Sequence, residues 1–246
     1  MVATGRLGYM DDFPLISMFF LATSVLVGMG IGDTLYFRSL KLVGTVRGLL
    51  LSNAYPLFTA MIAVLILHEP LTVGLLLGTT FVIAGVILVL TSGRALVKQQ
   101  GPAIDKGEHL GMVLALLAAL CWAITTSMVK VGAQDVDGLS ATAVRLVVAA
   151  GALLVVGRLS PVGLQLRQYR GRDLAGTVAA GVITALCSVT FLLAIQFTGA
   201  AKTATLTSTA PLFGVPMSLL TGEKLTWQTV MGSIVSVAGI WMVVAG

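Results

Sequence analysis

The chain has 246 residues, 57% of them apolar and 10% charged, with a mean hydropathy of +1.00. Soluble domains carry about 25% charged residues, so a water-soluble fold is excluded: too little polar surface exists to cover this much apolar mass. The net charge of +5 is scattered over short loops, without the clustered stripe that phosphate binding needs, so no nucleic-acid partner is expected.

Eight apolar runs follow one another along the chain, at 13–37, 48–67, 71–90, 110–129, 139–156, 174–195, 203–220 and 225–244. Each approaches the roughly 20 residues a helix needs to cross a hydrocarbon core of about 30 Å. The runs lack the alternating polarity of membrane strands, so the expected class is an all-α integral membrane protein with eight transmembrane helices. The first run follows Asp11 and Asp12 and outlasts the core of a secretory signal, so it reads as a retained helix. Cys121 and Cys187 fall inside predicted helices without metal or CxxC spacing and read as small buried side chains.

Two stretches match each other. GTVRGLLLSNAYPLF at 44–58 and GAAKTATLTSTAPLF at 199–213 share Gly, a cation three residues on, and Pro-Leu-Phe, about 155 residues apart. Each leads to an acidic turn, HEPLT at 68–72 and GEKLT at 222–226, and Gly78 and Gly85 recur as Gly232 and Gly239. This is an internal duplication. Pro56 and Pro211 sit at equivalent places inside long helices, where a missing N–H loosens the backbone; they read as paired hinges or as static kinks. Pro216 follows the second.

Glycines of the Gly28-Met29-Gly30-Ile31-Gly32 stretch and the series Gly78, Gly85 and Gly232, Ser236, Gly239 put small residues on helix faces. They would pack the repeats together or support a homodimer.

The stretch 32–40, GDTLYFRSL, with Gly44, Arg47, Pro56-Leu57-Phe58 and HEPLT, resembles the EamA domain of the drug/metabolite transporter superfamily. Trp122, Arg145, Gly199, Lys202, Pro211, Glu223 and Gly239 repeat that order. The resemblance implies ten helices in two inverted five-helix repeats. Here residues 1–92 supply three helices of a first repeat, 93–109 a connecting loop, and 110–246 all five helices of a second. The chain thus reads as this fold minus its first two helices, the expected cause being a truncated gene model. The resemblance also implies cytoplasmic termini, whereas the count of Lys and Arg, with Arg6, Lys130 and Lys202 alone on the side of the termini, places them outside.

An odd number of helices per repeat reverses the second copy. Such repeats enclose a central site and rock between outward-open and inward-open forms. The expected function is therefore secondary transport of a small metabolite or drug-like solute; the alternatives are a truncated non-transporting or regulatory membrane protein and an intramembrane enzyme.

Candidate solute contacts are the polar or charged residues at membrane depth: Asp33 and Arg145, which read alternatively as proton-coupling groups or as a structural pair, Asn53 and Tyr55 near the first proline, and Thr207 and Ser208 near the second. Tyr36 and Trp122 join them, Trp122 as cavity wall or interfacial anchor. Asp33 has an alternative place at the membrane interface, if its helix ends just after Gly32. Arg47 and Lys202, in the first turns of equivalent helices, are candidate gates for an anionic solute or else snorkel to headgroups. His68 and His109 complete no metal or catalytic motif, so no catalytic residue, metal or cofactor is expected. The expected partners are the lipid bilayer and the solute, in the cell membrane of a prokaryote.

Overall fold

The computed structural model describes residues 14–92, 106–159, 171–213 and 227–245, and every regular element among them is helical. α1 (Leu15–Val25) passes through a π-helical segment (Leu26–Gly32) into α2 (Asp33–Val43), making one span, Leu15–Val43. α3 (Thr45–Ser52) and α4 (Tyr55–Leu65) are the two halves of the next span, and α5 (Val73–Ser92) follows. The rest comprises α6 (Lys106–Gly132), α7 (Gly138–Leu159), α8 (Arg172–Thr198), α9 (Ala200–Thr207), a 3₁₀ turn (Ala210–Phe213) and α10 (Trp227–Ala245). Six of the described helical stretches are long and apolar enough to cross a membrane, and a shorter apolar stretch, Val73–Val89, lies in α5. Together with α9, these begin or cover all eight expected spans; residues 214–226, which hold Pro216, Glu223 and the end of the seventh run, lie outside the described residues.

The outer surface is apolar, with Leu15, Phe197 and Trp241 among the most exposed side chains. In water that would be costly; toward lipid it is the favourable arrangement. Trp241, four residues before the end of α10, is exposed as an interfacial anchor would be. Cys187 departs from expectation: it is exposed on α8, while Cys121 is half-buried. Cys187 lies where α8 turns an apolar face outward, so periodicity alone could not separate a lipid-facing position from a packed one.

α6 runs back along α1 and α2. A Cβ on Gly132 would lie 3.0 Å from Phe20, one on Gly28 2.9 Å from Thr125, and one on Gly32 3.0 Å from the Trp122 indole nitrogen. Two of the glycines of the 28–32 stretch therefore admit close helix contact, while Gly30 has nothing within 4 Å. Leu21, Val129, Ala133, Ala141, Leu192 and Ile195 bury a core between α1, α6, α7 and α8 near the face where α1 begins, here the first face.

The duplication extends to individual backbone hydrogen bonds. In the first copy, Asn53 N–H donates to Leu49 O, Ala54 N–H to Leu51 O and Leu57 N–H to Ala54 O. In the second, Ser208 donates to Ala204, Thr209 to Leu206 and Leu212 to Thr209. Both helices shift there from i−4 to i−3 bonding, just ahead of Pro56 and Pro211. The cause is the same: proline offers no N–H to the carbonyl four residues earlier. The entry to each is also shared. Gly44 (φ 80°, ψ 163°) and Gly199 (φ 89°, ψ 169°) take a backbone conformation that side chains with a Cβ rarely adopt.

α5 and α10 form the most extensive helix pairing, antiparallel and reciprocal. A Cβ on Gly78 would lie 2.6 Å from the Gly239 carbonyl, and one on Gly239 2.7 Å from the Gly78 carbonyl; Gly85 and Gly232 approach each other likewise. Because Gly78 corresponds to Gly232 and Gly85 to Gly239 in sequence, each residue meets the counterpart of its neighbour. The small-residue stripe is thus filled within the chain. Ser236 Oγ adds a bond to Val82 O at 3.4 Å, and the Thr79 and Thr205 hydroxyls join at 2.9 Å across the copies.

Candidate functional site

Helix α2 does not begin afresh after Gly32; it continues the π segment, so Asp33 is inside a span rather than at its end. A π segment adds a residue to the turn and changes the direction of the side chains that follow. Here it brings Asp33 to α6, where Trp122 Nε1 donates to Asp33 Oδ1 at 2.9 Å. Trp122 lies within about one helical turn of the midpoint of the Gly107–Gly132 span, which places this pair near mid-membrane.

Two tyrosines close on the same indole. The Tyr36 ring is 5.1 Å from Trp122 and the Tyr55 ring 6.5 Å away, edge-on at 87°. The Tyr55 hydroxyl meets the Thr126 hydroxyl at 3.2 Å, with Thr207 also in reach, and the Tyr36 hydroxyl pairs with Ser52. Tyr55 opens α4 directly after the break at Asn53 and Ala54, so the helix interruption sets its position.

Part of this cluster borders a cavity of about 250 Å³. Asp33, Tyr55, Trp122 and Arg145 line it, coming from α2, α4, α6 and α7. At roughly 30 Å³ per liquid water, the space would hold about eight waters or one small solute. Arg145 reaches it from the second turn of α7, and its Nε is buried without a hydrogen-bond partner. Asp33 and Arg145 border one cavity yet form no ion pair with each other.

Of the residues singled out from sequence, Tyr36 and Thr207 stand behind that lining, touching Trp122 and Tyr55. Asn53 and Ser208 turn inward on their own helices: the Asn53 amide donates to Leu49 O at 2.9 Å and Ser208 Oγ to Thr205 O at 2.7 Å. They occupy equivalent positions at the two breaks and supply polar atoms where the helical ladder is interrupted. Arg47 is paired with Glu108 at the first turn of α6. Lys202 borders a separate pocket of about 220 Å³ with Phe197, Thr198 and Val243.

The sequence reading missed several contributors. Phe191 lines the cavity, and its signal was available: it lies about 155 residues after Tyr36, as that residue's counterpart in the second copy. Thr125 and Thr126 follow Trp122 on the same helix face as it turns toward α1 and α4. A second omission is Glu69. Its carboxylate accepts from Ala200 N–H at 2.8 Å and Ala201 N–H at 3.2 Å, capping α9 across the two copies. The amide groups that would attract an anion beside Lys202 are therefore already taken by Glu69. The contact also fixes direction: a residue past the end of α4 touches the start of α9, so these equivalent spans run antiparallel. Among the described residues, no cluster of His, Cys, Asp or Glu could hold a metal ion.

The model of the EamA-like transporter family matches residues 6–91 and 109–245. The uncharacterized transporter YyaM of Bacillus subtilis (strain 168) is 26% identical over 220 residues, 85% of this chain and 67% of that protein. An uncharacterized transporter of Archaeoglobus fulgidus is 23% identical over 235 residues, covering 93% of this chain and 78% of its own length. A solved structure described only as a crystal structure of protein superimposes with a TM-score of 0.71 at 16% identity, over 94% of this chain and 89% of that one.

Proposed function

The chain belongs to the EamA-like transporter family and is a multi-pass membrane transporter, and from that premise we propose that it carries a small solute by alternating access between its two sequence copies. The observation that carries this reading is the mid-membrane cavity, whose lining combines Asp33 and Tyr55 of the first copy with Trp122 and Arg145 of the second. Charges at bilayer depth cost roughly 2.5–3.5 kcal/mol each on insertion scales. Two of them around one cavity are difficult to explain as packing.

The division into residues 1–92 and 110–246 belongs to the same reading. The α5–α10 seam serves as the fixed line about which the halves rock, since reciprocal glycine contacts tolerate little separation. The breaks ahead of Pro56 and Pro211 are the points at which these helices bend during the cycle. Tyr55, at the first break, links that bending to the cavity. In this reading the bonds from Ala200 and Ala201 to Glu69 act as a clasp at the first face. Solute entry from the second face, occlusion against Trp122, and release of the Glu69 clasp form one half-cycle. The reading involves no covalent chemistry.

The test is reconstitution of the full chain in liposomes, with uptake of a panel of labelled metabolites. Saturable uptake of at least one solute, lost in Asp33→Asn and Trp122→Ala proteins that insert and fold normally, is the expected result. Absence of saturable flux, or flux indifferent to both substitutions, would overturn the proposal.

A further inference from the structure

We propose that Lys202 and the recess beside it hold an anionic phospholipid at the first face, the ammonium pairing with the lipid phosphate and the upper acyl chains lying against Phe197, Leu206 and Val244. The recess shares no lining residue with the central cavity. The duplication supplies an internal comparison. Arg47 and Lys202 stand at equivalent positions, each three residues after the glycine that precedes its helix. Arg47 is paired within the chain, by Glu108. Lys202 has no carboxylate within ion-pair distance and no hydrogen-bond acceptor among the described residues. Glu69, the acid that reaches the first turn of α9, gives its oxygens to the Ala200 and Ala201 amides instead. A cation in a first turn is disfavoured by the helix dipole, so the second copy leaves its ammonium in need of the anion that Glu108 provides in the first.

The recess of about 220 Å³ lies between the last turns of α8 and α10 and one side of α9. Of its lining residues, Phe197 and Val244 are 84% and 66% exposed, and in a bilayer such apolar side chains face acyl chains. Gly199, where α8 gives way to α9, marks the depth. Lys202 is three residues further on, about 4.5 Å along the axis at roughly 1.5 Å per residue, and its flexible stem brings the ammonium to the level of the lipid phosphates. Thr198, the other polar side chain in the lining, spends its proton on Ala194 O at 2.8 Å. The Lys202 ammonium is thus the side-chain donor that the recess offers to a guest.

The walls select the source of the anion. A phosphate arriving from water would exchange its hydration for Phe197, Leu206, Val243 and Val244, which give nothing back beyond the single charge. A phospholipid brings apolar surface that suits those walls, and its phosphate is already at the interface. Among phospholipids, a head group with its own ammonium competes with Lys202 for the phosphate, so a net negative lipid is favoured. At roughly 30 Å³ per liquid water the recess holds about seven waters, enough for a phosphate and the carbons next to it, with the rest of the chains outside along α8 and α10. Ordinary snorkelling differs, since there a lysine reaches the interface along an open apolar surface with no enclosed space beside it.

Native mass spectrometry of the delipidated full chain in neutral detergent resolves bound lipids one at a time. The probes are dioleoylphosphatidylglycerol, dioleoylphosphatidylcholine with the same tails, and glycerol 3-phosphate as a soluble head. The first phosphatidylglycerol should bind about fivefold or more tighter than phosphatidylcholine, with no glycerol 3-phosphate retained at the same concentration. Lys202→Gln should bring that preference down to about one, and Lys202→Arg, which keeps the charge, should retain it. Arg158→Gln, at an exposed cation in the last turn of α7, should leave it unchanged. Equal affinities for the two lipids in the unmodified chain, a preference that survives Lys202→Gln, or an equal loss in Arg158→Gln would overturn the inference. Glycerol 3-phosphate binding as tightly as phosphatidylglycerol would assign the recess to free phosphate and overturn it as well. The unmodified chain decides the lipid comparison and the glycerol 3-phosphate arm even if a variant does not fold.

Discussion

Replacing Glu69 with alanine removes both acceptors from the first turn of α9. Hydrogen bonds to charged groups are worth about 1.5–3 kcal/mol each in favourable cases, and loss of an N-cap costs about 0.5–2 kcal/mol. Glu69 is half-buried, so water can replace part of what it gives to Ala200 and Ala201. A net of about 1–2 kcal/mol follows, or a factor of about 5–30 in an equilibrium constant. Only the part of that energy lost on opening shifts the balance between closed and open forms. Spin labels at Leu65 and Phe197, both exposed near the first face, report on the separation of α4 from α8 by pulsed electron resonance. Glu69→Ala should raise the ratio of longer- to shorter-distance populations, by a factor up to about 5–30 if the whole energy is lost on opening. Glu69→Gln, which keeps one acceptor oxygen, should fall between. A distance distribution identical to that of the parent chain in both variants would refute the clasp as a closing element, whatever the change in melting temperature.

Gly78→Leu places a side chain where even a Cβ would be 2.6 Å from the Gly239 carbonyl, and should cost at least about 1–3 kcal/mol, seen as a lower Tm in detergent. Gly151→Ala, where nothing lies within 4 Å, should leave Tm unchanged or raise it through a gain of about 0.5–1 kcal/mol. Pro56→Ala restores an N–H toward the Ser52 carbonyl; Tm should hold or rise while maximal uptake falls, as measured in liposomes. Trp122→Phe keeps a ring beside Tyr36 but loses the bond to Asp33, so solute affinity should weaken about tenfold with the helical circular dichroism unchanged.

Much of this architecture was legible because a bilayer leaves the chain few options. Helices must satisfy their own backbone, so length and hydropathy located the spans, and the recurrence about 155 residues on identified both proline breaks. Asp33, Tyr55, Trp122 and Arg145 stood out by the rarity of such groups at depth, whereas their meeting around one cavity was not legible in the sequence. Other features depended on three-dimensional neighbours that periodicity does not encode. Continuity of α1 into α2 hinges on a π segment, so the option of Asp33 at a helix end stayed open in the sequence. Asn53 and Ser208 looked as available as Tyr55, yet their short side chains reach backbone carbonyls of their own helix first. Glu69 was visible as part of a turn, but its role arises only where the end of one span meets the start of its counterpart.

The α5–α10 seam has a consequence for lineage and stoichiometry. A surface on which Gly78 meets the counterpart of Gly85 is complementary to itself under a half-turn, as in a symmetric dimer. A polypeptide encoding only one copy would have to insert in both orientations, in matched amounts, to build the same seam. Joining the copies in a single gene fixes their ratio at one to one and frees the two cavity walls to diverge. Asp33 then stands on one wall while its counterpart about 155 residues on is Ser188, an asymmetry closed to two identical subunits.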